Sequence, residues 1–495
     1  MIQNLLRIIS EGCRRYPGNL YFNRLHTAVV EAGRTPRFID LYVQFTLVPE
    51  TESFATMDES DRSGDFRPAS LLMSSFRAYP EAPGRKPFCI DFTDNAGLRP
   101  VSSVILGNNG SGKTSVYTGL EFMAMQSSNI AEVFGYFSDD QDIYMHHIGS
   151  RQDCGLTMYD AAGRCHEFAD STRAELCTPA FFSSQADIQE YEADGMTREF
   201  LFRQLGRLSL YRLGRRLKRI QTVTAILNEA YNINLRRCRT GEERRQALAD
   251  RKELQKKAKQ LIDKEGGRLP DWRWANDKNK ELIDELVSFI ENEVRKSFEI
   301  FCRVSKKIVP ALINPYITGY EPIHIELKVD GLDMRPIVVF EGEEDGHDPM
   351  RFFNTFRAKL FILALKISFA FASKIIDRVN FAIVIDDIFD ASDFHNKEEI
   401  RYFFRELVSG HEEIEELRPY PLQIICMTQD QMIAENVYKG IEHVLGDSAV
   451  KYLRIHHPAE LEETDEAEIT IRRPDGNKEI RQVRMVCETI RRARV

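Results

Sequence analysis

The sequence has no long uninterrupted apolar run, although 43% of its 495 residues are hydrophobic. A membrane-spanning helix needs about 20 such residues in succession, so a membrane protein is not expected. The start of the chain carries no apolar stretch followed by a small-residue cleavage site, which gives no indication of secretion. With 29% charged residues, the chain is predicted to be a soluble cytoplasmic protein rather than a disordered or fibrous one.

The nine cysteines are scattered, and no two of them have the CxxC spacing of a zinc site. An odd number of unclustered cysteines is typical of reduced thiols in a cytoplasm. Disulfides and structural zinc are therefore not expected to stabilise the fold. At roughly 150 residues per domain, the chain is long enough for about three domains with their own apolar cores.

Charge is unevenly distributed along the chain. The net charge is −9, yet residues 201–260 contain 17 Lys or Arg against five acidic residues. A basic segment in an acidic protein indicates a surface for the phosphates of DNA or structured RNA. The same composition is also typical of solvated helix faces paired with neighbouring acids, and the sequence leaves both interpretations open.

Periodicity divides the chain into segments. Strand-like and helical segments alternate on both sides of a long helical region, which predicts an α/β fold with a mainly parallel sheet. The predicted segments are a helical N-terminal extension (1–45), an acidic linker (46–68), a first lobe (69–198), a helical insertion (199–305), a second lobe (306–440) and a C-terminal α/β extension (441–495).

Within the insertion, helical spacing over residues 248–261 and 283–301 predicts two arms of an antiparallel hairpin. The chain's two tryptophans, Trp272 and Trp274, lie beside Pro270 in the turn between the arms. Tryptophan and arginine in an exposed turn are typical of interfaces, which predicts a docking site for a partner. An equally good interpretation is that both rings fold back and close the end of the hairpin.

The strongest motif is a full match to GxxxxGK[ST], the phosphate-binding loop, between a predicted strand and a predicted helix. Its glycines let successive backbone N–H groups face a phosphate, its lysine reaches the β- and γ-phosphates, and its last hydroxyl binds Mg²⁺. The motif therefore predicts ATP and Mg²⁺ as cofactors. The residues are Gly107, Asn108, Asn109, Gly110, Ser111, Gly112, Lys113 and Thr114.

The second half of such a site is an apolar strand that ends in acids, and residues 381–387 provide it. Asp386 is predicted to hold Mg²⁺ through water, and Asp387 is predicted to act as the general base that orients the attacking water. Lys113 and Asp386 are 273 residues apart. The helical hairpin is therefore predicted to be an insertion within one nucleotide-binding head.

A split head with a helical insertion resembles the ABC-type ATPases of the SMC, RecF and RecN group. The resemblance implies an α/β P-loop head with a mixed, mainly parallel sheet, split by a short antiparallel helical hairpin of coiled-coil type. It also implies ATP hydrolysis and association of two or more heads around bound ATP. It covers about residues 70–200 and 320–440.

Further site residues come from this resemblance alone. Arg77, in Ser-Ser-Phe-Arg, is similar to an arginine close to the nucleotide. Gln185, in Phe-Phe-Ser-Ser-Gln, resembles the lid glutamine that contacts Mg²⁺ and the attacking water. Asp393 follows the DExxxxxD spacing of an aspartate that contacts the second head, and Gln429 ends the switch strand.

The chain departs from the group's pattern at three places. Asp387 is one methylene shorter than the usual glutamate, which predicts slow hydrolysis. Gln429 stands where a histidine is usual and cannot carry a proton in the same way. The LSGGE signature is replaced by Phe-Asn-Thr-Phe before the long helix, so Asn354 or Thr355 is expected to reach the γ-phosphate on the opposite head.

A short hairpin with a degenerate signature most resembles the ATPase subunits of bacterial anti-phage systems such as Septu and PARIS. The resemblance implies an ATPase that senses an invader and controls a separate nuclease effector, since the sequence contains no nuclease motif of its own. The alternative is a DNA-repair or chromosome-associated head that clamps DNA. A transporter ATPase would require a recognisable signature and a surface that couples to membrane helices.

Overall fold

The computed structural model describes most of the head and of the insertion. The described residues are 64–74, 76–79, 86–97, 99–125, 155–167, 177–185, 189, 191, 195–235, 237–263, 277–317, 323–340, 346–389, 394–461 and 466–490. The predicted N-terminal extension (1–45), most of the predicted linker, and both tryptophans lie outside them. None of the described helices is long and apolar enough to cross a membrane.

A six-stranded sheet lies at the centre of the head, with strand order β16-β13-β4-β12-β11-β7. Its strands are β4 (Ser102–Leu106), β7 (Phe182–Ser183), β11 (Ile383–Asp386), β12 (Ile424–Thr428), β13 (Val450–Ile455) and β16 (Cys487–Thr489). All neighbouring strands are parallel except β16, which pairs antiparallel with β13 at the edge. The predicted α/β fold class with a mainly parallel sheet is confirmed.

The central strands are apolar runs rather than alternating patterns. Every residue of β11 and β12 is buried. Strands covered on both faces have no solvent side, so they need no polar alternation. This is why the sequence pattern located these strands to within two residues.

A second six-stranded sheet, with order β14-β15-β3-β2-β5-β6, is mainly antiparallel. Its strands are β2 (Pro68–Ser74), β3 (Phe88–Asp91), β5 (Gly155–Asp160), β6 (Cys165–Glu167), β14 (Glu466–Arg472) and β15 (Lys478–Met485). The sequence analysis did not predict this sheet. The partners of its strands come from distant parts of the chain, so no local pattern joins them.

Residues 441–495, assigned from sequence to a C-terminal extension, contribute to both sheets. Strand β13 pairs with β4 next to the phosphate loop, and β15 pairs with β3 in the second sheet. Two smaller pairings complete the strands: β1 (Gly64–Asp65) with β10 (Val379–Asn380), and the hairpin of β8 (Ile323–Asp330) and β9 (Asp333–Phe340).

Nine α-helices lie in the described residues. They are α1 (Lys113–Met125), α2 (Arg198–Gln204), α3 (Leu208–Asn232), α4 (Gly241–Asp263), α5 (Asp277–Ile317), α6 (Pro349–Phe352), α7 (Thr355–Asp377), α8 (Phe394–Glu413) and α9 (Gln431–Leu445). Helix α7 is buried along nearly its whole length, and its Phe369 stacks on Phe301 of α5 with ring centroids 4.0 Å apart. Helix α7 therefore belongs to the core of the head.

Residues 207–296 form a compact unit separate from the head. Helices α3 and α4 pack together there, and Lys218 of α3 forms an ion pair with Glu291 in the first part of α5. The sequence analysis singled out two helices, which correspond to α4 and α5. The structure adds α3 as a third, whose many basic residues obscure its apolar spacing.

Candidate nucleotide-binding site

The predicted site residues converge at one edge of the parallel sheet. Strands β4, β12 and β11 are parallel neighbours, with Leu106 paired to Thr428 and Asp386 paired to Met427. Their carboxyl ends therefore meet at the same edge, which is where ligands bind in open α/β sheets. The phosphate loop follows β4 directly, and the Gly107 N–H donates to the Thr428 carbonyl at 3.1 Å.

The phosphate loop needs glycine at two positions for its backbone shape. Gly110 and Gly112 have φ angles of +82° and +98°. A Cβ on Gly112 would also lie 2.7 Å from the Tyr79 hydroxyl. Tyr79 is fully buried, and burial raises the pKa of its hydroxyl well above the ordinary value. Tyr79 and Gly112 therefore fix the loop against the head.

Lys113 lies within the loop rather than in solvent. Its side chain is 6% exposed, and its Nζ donates to the carbonyls of Gly107 at 2.7 Å and of Asn108 at 3.0 Å. A buried ammonium group needs such acceptors, because its desolvation is costly. The loop thus holds a fixed positive charge beside its own backbone N–H groups, which is an arrangement suited to a phosphate.

Asp386 faces this charge from the end of β11. Burial raises its pKa to about 6, the nearby charge of Asp387 adds to the rise, and a hydrogen bond from Thr114 and the charges of Lys113 and Arg77 oppose it. Among the described residues, Oδ1 of Asp386 is buried without a hydrogen-bond partner. A buried carboxylate oxygen in that state is suited to a cation or its water.

Asp387 lies in a strained backbone conformation. Its φ is +49°, in the left-handed region that few residues other than glycine, asparagine and aspartate adopt. Its N–H donates to the Met427 carbonyl at 3.0 Å, and the Thr428 hydroxyl lies 3.4 Å from its Oδ1. The Gln185 amide donates to its carbonyl at 3.2 Å. These contacts hold the Asp387 backbone beside Asp386 and bring Gln185 to the same edge.

Arg77 is the second strained residue of the site. It follows Phe76 in a tight turn closed by reciprocal backbone bonds between Phe76 and Tyr79, and its φ is +52°. Its Nη1 donates to Thr118 of α1 at 2.5 Å. Its positive charge also lowers the pKa of Asp386. The structure therefore brings Arg77 to the phosphate-loop helix.

The remaining predicted residues lie at the start of α7, after β12, or outside the described residues. Asn354 is the N-cap of α7, where its Oδ1 accepts the Arg357 N–H at 2.9 Å, and Thr355 begins that helix; both are exposed. Gln429 is exposed after β12. Asp393 lies outside the described residues.

Four contacting residues were missed by the sequence analysis. Thr428 contacts Asp387, Thr118 contacts Arg77, Tyr79 packs on the loop, and Lys397 forms an ion pair with Asp430 after the switch strand. Thr428 could have been found, because it is the last polar residue of a buried strand beside the loop. The other three depend on long-range packing that no local pattern reveals.

Comparison of the sequence with family models and with curated proteins finds no match. Solved structures of similar shape exist. The Smc head domain of Pyrococcus furiosus, bound to the C-terminal domain of ScpA, has 13% identity and a TM-score of 0.36, covering 84% of this chain and 96% of that one. The SMC head domain of Thermotoga maritima has 12% identity and a TM-score of 0.32, covering 79% and 94%.

The recombination mediator protein RecF, described with ATPrS in the RecFOR pathway, has 11% identity and a TM-score of 0.34, covering 80% of this chain and 98% of that one. Identities and scores this low carry no functional argument. The functional interpretation therefore depends on the geometry of the phosphate-loop edge.

Proposed function

We propose that the chain is an ABC-type ATPase that binds and slowly hydrolyses ATP, and that it senses or scaffolds an anti-phage defence complex by controlling a separate nuclease. The observation that supports ATP binding is the meeting of Lys113, Thr114 and the unpartnered oxygen of Asp386 at one sheet edge. A lysine, a hydroxyl and a carboxylate beside a glycine-rich loop are the groups that a magnesium nucleotide requires.

The residues present fit Mg²⁺. Thr114 and Asp386 offer the hard oxygen ligands that this ion prefers, and Gln185 offers an amide oxygen from the adjacent strand end. When bound, the ion would neutralise charge on the phosphates. The chain's own residues position the nucleotide. Lys113 holds the phosphates, and Arg77 adds a positive charge from the neighbouring turn.

Asp387 is the proposed general base. Its left-handed backbone turns the residue away from the strand direction, and Thr428 and Gln185 hold it from two sides. Aspartate tolerates this conformation better than the longer glutamate does, because its short side chain can bond locally. The shorter reach places the carboxylate further from the phosphate, which supports slow hydrolysis. Gln429 is proposed to contact the γ-phosphate.

A second copy of the head is the proposed partner at the nucleotide. Asn354 and Thr355 are exposed at the start of α7, and among the described residues no hydrogen bond joins either side chain to the phosphate loop, so they are available to another head. Binding energy for the second copy comes from completing the shell around ATP. Asp393 is proposed to act in the same interface.

The defence role is supported by a missing motif and by the length of the insertion. It has no nuclease motif, and its insertion is far shorter than the arms of chromosome clamps, so an effector is expected to be a separate protein. The alternative, a repair or chromosome-associated head that clamps DNA, is favoured by one observation. The insertion carries exposed arginines, such as Arg237 and Arg239, that form no ion pair within the part of the chain that the structure describes.

Phosphate release and light scattering test the enzyme proposal in one set of samples. Asp387→Asn preserves a residue type that tolerates a positive φ but removes the basic oxygen. Its hydrolysis rate is expected to fall about 100-fold, a usual loss for a general base, while ATP-dependent association persists. Hydrolysis at the wild-type rate would contradict the assignment of the base, and monomers in ATP would contradict the paired heads.

Purification of the tagged full chain from its natural cells tests the role. A nuclease that remains bound in ATP and dissociates after hydrolysis is expected for the defence complex. DNA recovered without a protein partner would favour the clamp instead.

A further inference from the structure

The turn between α3 and α4 combines an exposed aromatic ring with arginines. We refer to residues 231–235 and 237–245 as the basic turn. Tyr231, in the last turn of α3, is 80% exposed, the largest exposed fraction among the large hydrophobic side chains that the structure describes. A ring that contributes nothing to its own core costs solubility. The ring is therefore available for a contact at the end of α3.

The backbone of the basic turn is well fixed. The Arg237 N–H donates to the Asn234 carbonyl at 3.0 Å. Thr240 and Glu243 form a capping box at the start of α4: the Glu243 N–H donates to the Thr240 hydroxyl at 3.1 Å, and the Thr240 N–H donates to the Glu243 carboxylate at 3.2 Å. That carboxylate also accepts the Arg239 N–H at 2.6 Å. The turn is thus ordered before any partner binds.

Four arginines of the turn are exposed. Within the described chain, no ion pair or side-chain hydrogen bond is formed by Arg237, Arg239, Arg244 or Arg245, all of which are exposed. Lys218 of α3, by contrast, pairs with Glu291 at 2.5 Å. The Glu243 carboxylate accepts backbone N–H groups and, among the described residues, forms no ion pair with these guanidinium groups. The solvated-face interpretation of the basic segment therefore describes Lys218 but not the turn.

Tyrosine and arginines come together because of the topology. Helices α3 and α4 pack against each other and are joined by residues 233–240. A connection this short makes neighbouring helices antiparallel, so the end of α3 with Tyr231 adjoins the start of α4 with Arg244. The turn therefore presents an aromatic ring and several positive charges at one end of the helix pair.

We propose that the basic turn binds single-stranded nucleic acid, with a base stacked on Tyr231 and phosphates on the arginines. Guanidinium groups match phosphate oxygens, and an exposed ring accepts any base, because every base has a π-face. Base pairs in a duplex hide those faces, so a single strand is the ligand that uses both features. An acidic polypeptide would satisfy the arginines alone. The proposal goes beyond the proposed ATPase function and depends on no residue of the nucleotide site.

Fluorescence anisotropy of a labelled 20-nucleotide thymidine strand with the full chain tests the proposal. Tyr231→Ala is expected to lower affinity about tenfold, and Tyr231→Phe to leave it within about twofold, because stacking needs the ring and not the hydroxyl. Arg237→Ala with Arg239→Ala should lower affinity and make the logarithmic salt slope shallower by about 0.7 per lost phosphate contact.

The matched control is Tyr402→Ala, since Tyr402 is a 49% exposed tyrosine whose ring lies under Arg405 in the head. It should leave affinity unchanged. An equal loss for Tyr402→Ala, or no loss for Tyr231→Ala, would overturn the proposal.

A competition separates the alternatives. Polyglutamate is added at the same concentration of negative charge as the nucleic-acid strand. If it displaces the strand equally from wild type and from Tyr231→Ala, the turn is a site for acidic polypeptides and the proposal is overturned. A duplex of the same length is expected to compete at least tenfold less well. Binding of a fluorescent ATP analogue should be unchanged in all the turn variants, which separates failure of this proposal from failure of the ATPase proposal.

Discussion

Two regions of the head bury polar atoms that have no partner among the described residues, and they differ in what surrounds them. At the loop edge, the atoms are Ser111 Oγ and Asp386 Oδ1. Between α7 and α8, they are Lys374 Nζ and His411 Nε2. In the first region a glycine-rich backbone and fixed charges face the unpartnered atoms. In the second, the surroundings are core helices.

The two regions have different energetic meanings. At the loop edge, a phosphate and a cation would satisfy the buried groups, so their cost is recovered on binding. Around Lys374, burial and the charge of Arg67 lower the lysine pKa to about 7, with Asp65 opposing, and burial and Lys374 lower the pKa of His411 to about 3. The cost of burying these two groups lowers the stability of the folded protein. An unpartnered buried group therefore indicates a ligand only where other groups converge on it.

Replacing the buried lysine of each region, in separate variants, tests the comparison most sharply. Lys113→Ala should reduce ATP affinity by at least about 100-fold, since a desolvated charge pair lost from one side costs roughly 3 kcal/mol. Lys374→Met should leave ATP affinity within about twofold, although it deletes an equally buried ammonium group. Titration with a fluorescent ATP analogue measures both, and equal losses would show that the two regions do not differ.

Two glycines of the loop sharpen the comparison within the site. Gly112→Ala meets the Tyr79 hydroxyl at 2.7 Å, whereas Gly110→Ala has a similarly positive φ but nothing within 4 Å. Both carry a backbone cost of roughly 1–2 kcal/mol. Gly112→Ala should lower ATP affinity further, by about tenfold relative to Gly110→Ala. Isothermal titration distinguishes them, and equal affinities would remove Tyr79 from the account of the loop.

The second region predicts a pH dependence of stability. Between about pH 7 and pH 10.5 the unfolded chain holds the Lys374 proton and the folded chain does not, so stability should rise with pH across that window. Below pH 7 the full cost of the buried charge remains. Lys374→Met should raise the free energy of unfolding at pH 7, on the order of 1–3 kcal/mol, and flatten the curve. Urea unfolding from pH 6 to 10 measures this, with Lys397→Met as an ion-paired control.

The smallest expected effect concerns the start of α7. Asn354→Ala removes the N-cap and should cost about 1 kcal/mol of stability. Asp430→Ala removes the corresponding cap of α9, where the carboxylate accepts the N–H groups of Met432 and Ile433. Only Asn354→Ala should weaken ATP-dependent association of heads by more than its stability loss explains. Equal effects on association, measured by light scattering, would leave Asn354 as a cap alone.

The sequence was enough for the elements whose signals are local. The phosphate loop, the buried strands that end at Asp386 and Thr428, and the long helix before Arg378 each have a pattern within ten or twenty residues. Their meeting at one edge followed from parallel pairing. Gln185 was selected by the family resemblance alone, and its contact with the Asp387 carbonyl has no local signal.

Other features have no local signal. The antiparallel sheet joins residues 68–91 to 466–485, and neither strand nor turn patterns specify such distant partners. The left-handed conformation of Arg77 runs against its residue type, and that of Asp387 is one that aspartate tolerates, but no local pattern predicts either. Helix α3 was not predicted from the sequence, because its many arginines obscure the apolar spacing of the side that packs on α4.

The pairing of β4 has a consequence for how the protein is made. Both neighbours of this strand, β12 and β13, are synthesised more than 300 residues after it. A ribosome adds roughly 5–20 residues per second, so the strand that bears the phosphate loop stays unpaired for at least about 15 seconds. During that interval its apolar residues are an aggregation hazard, and the nascent chain has no formed nucleotide site. Ligand binding should therefore begin only after β12 and β13 have been synthesised and have paired with β4.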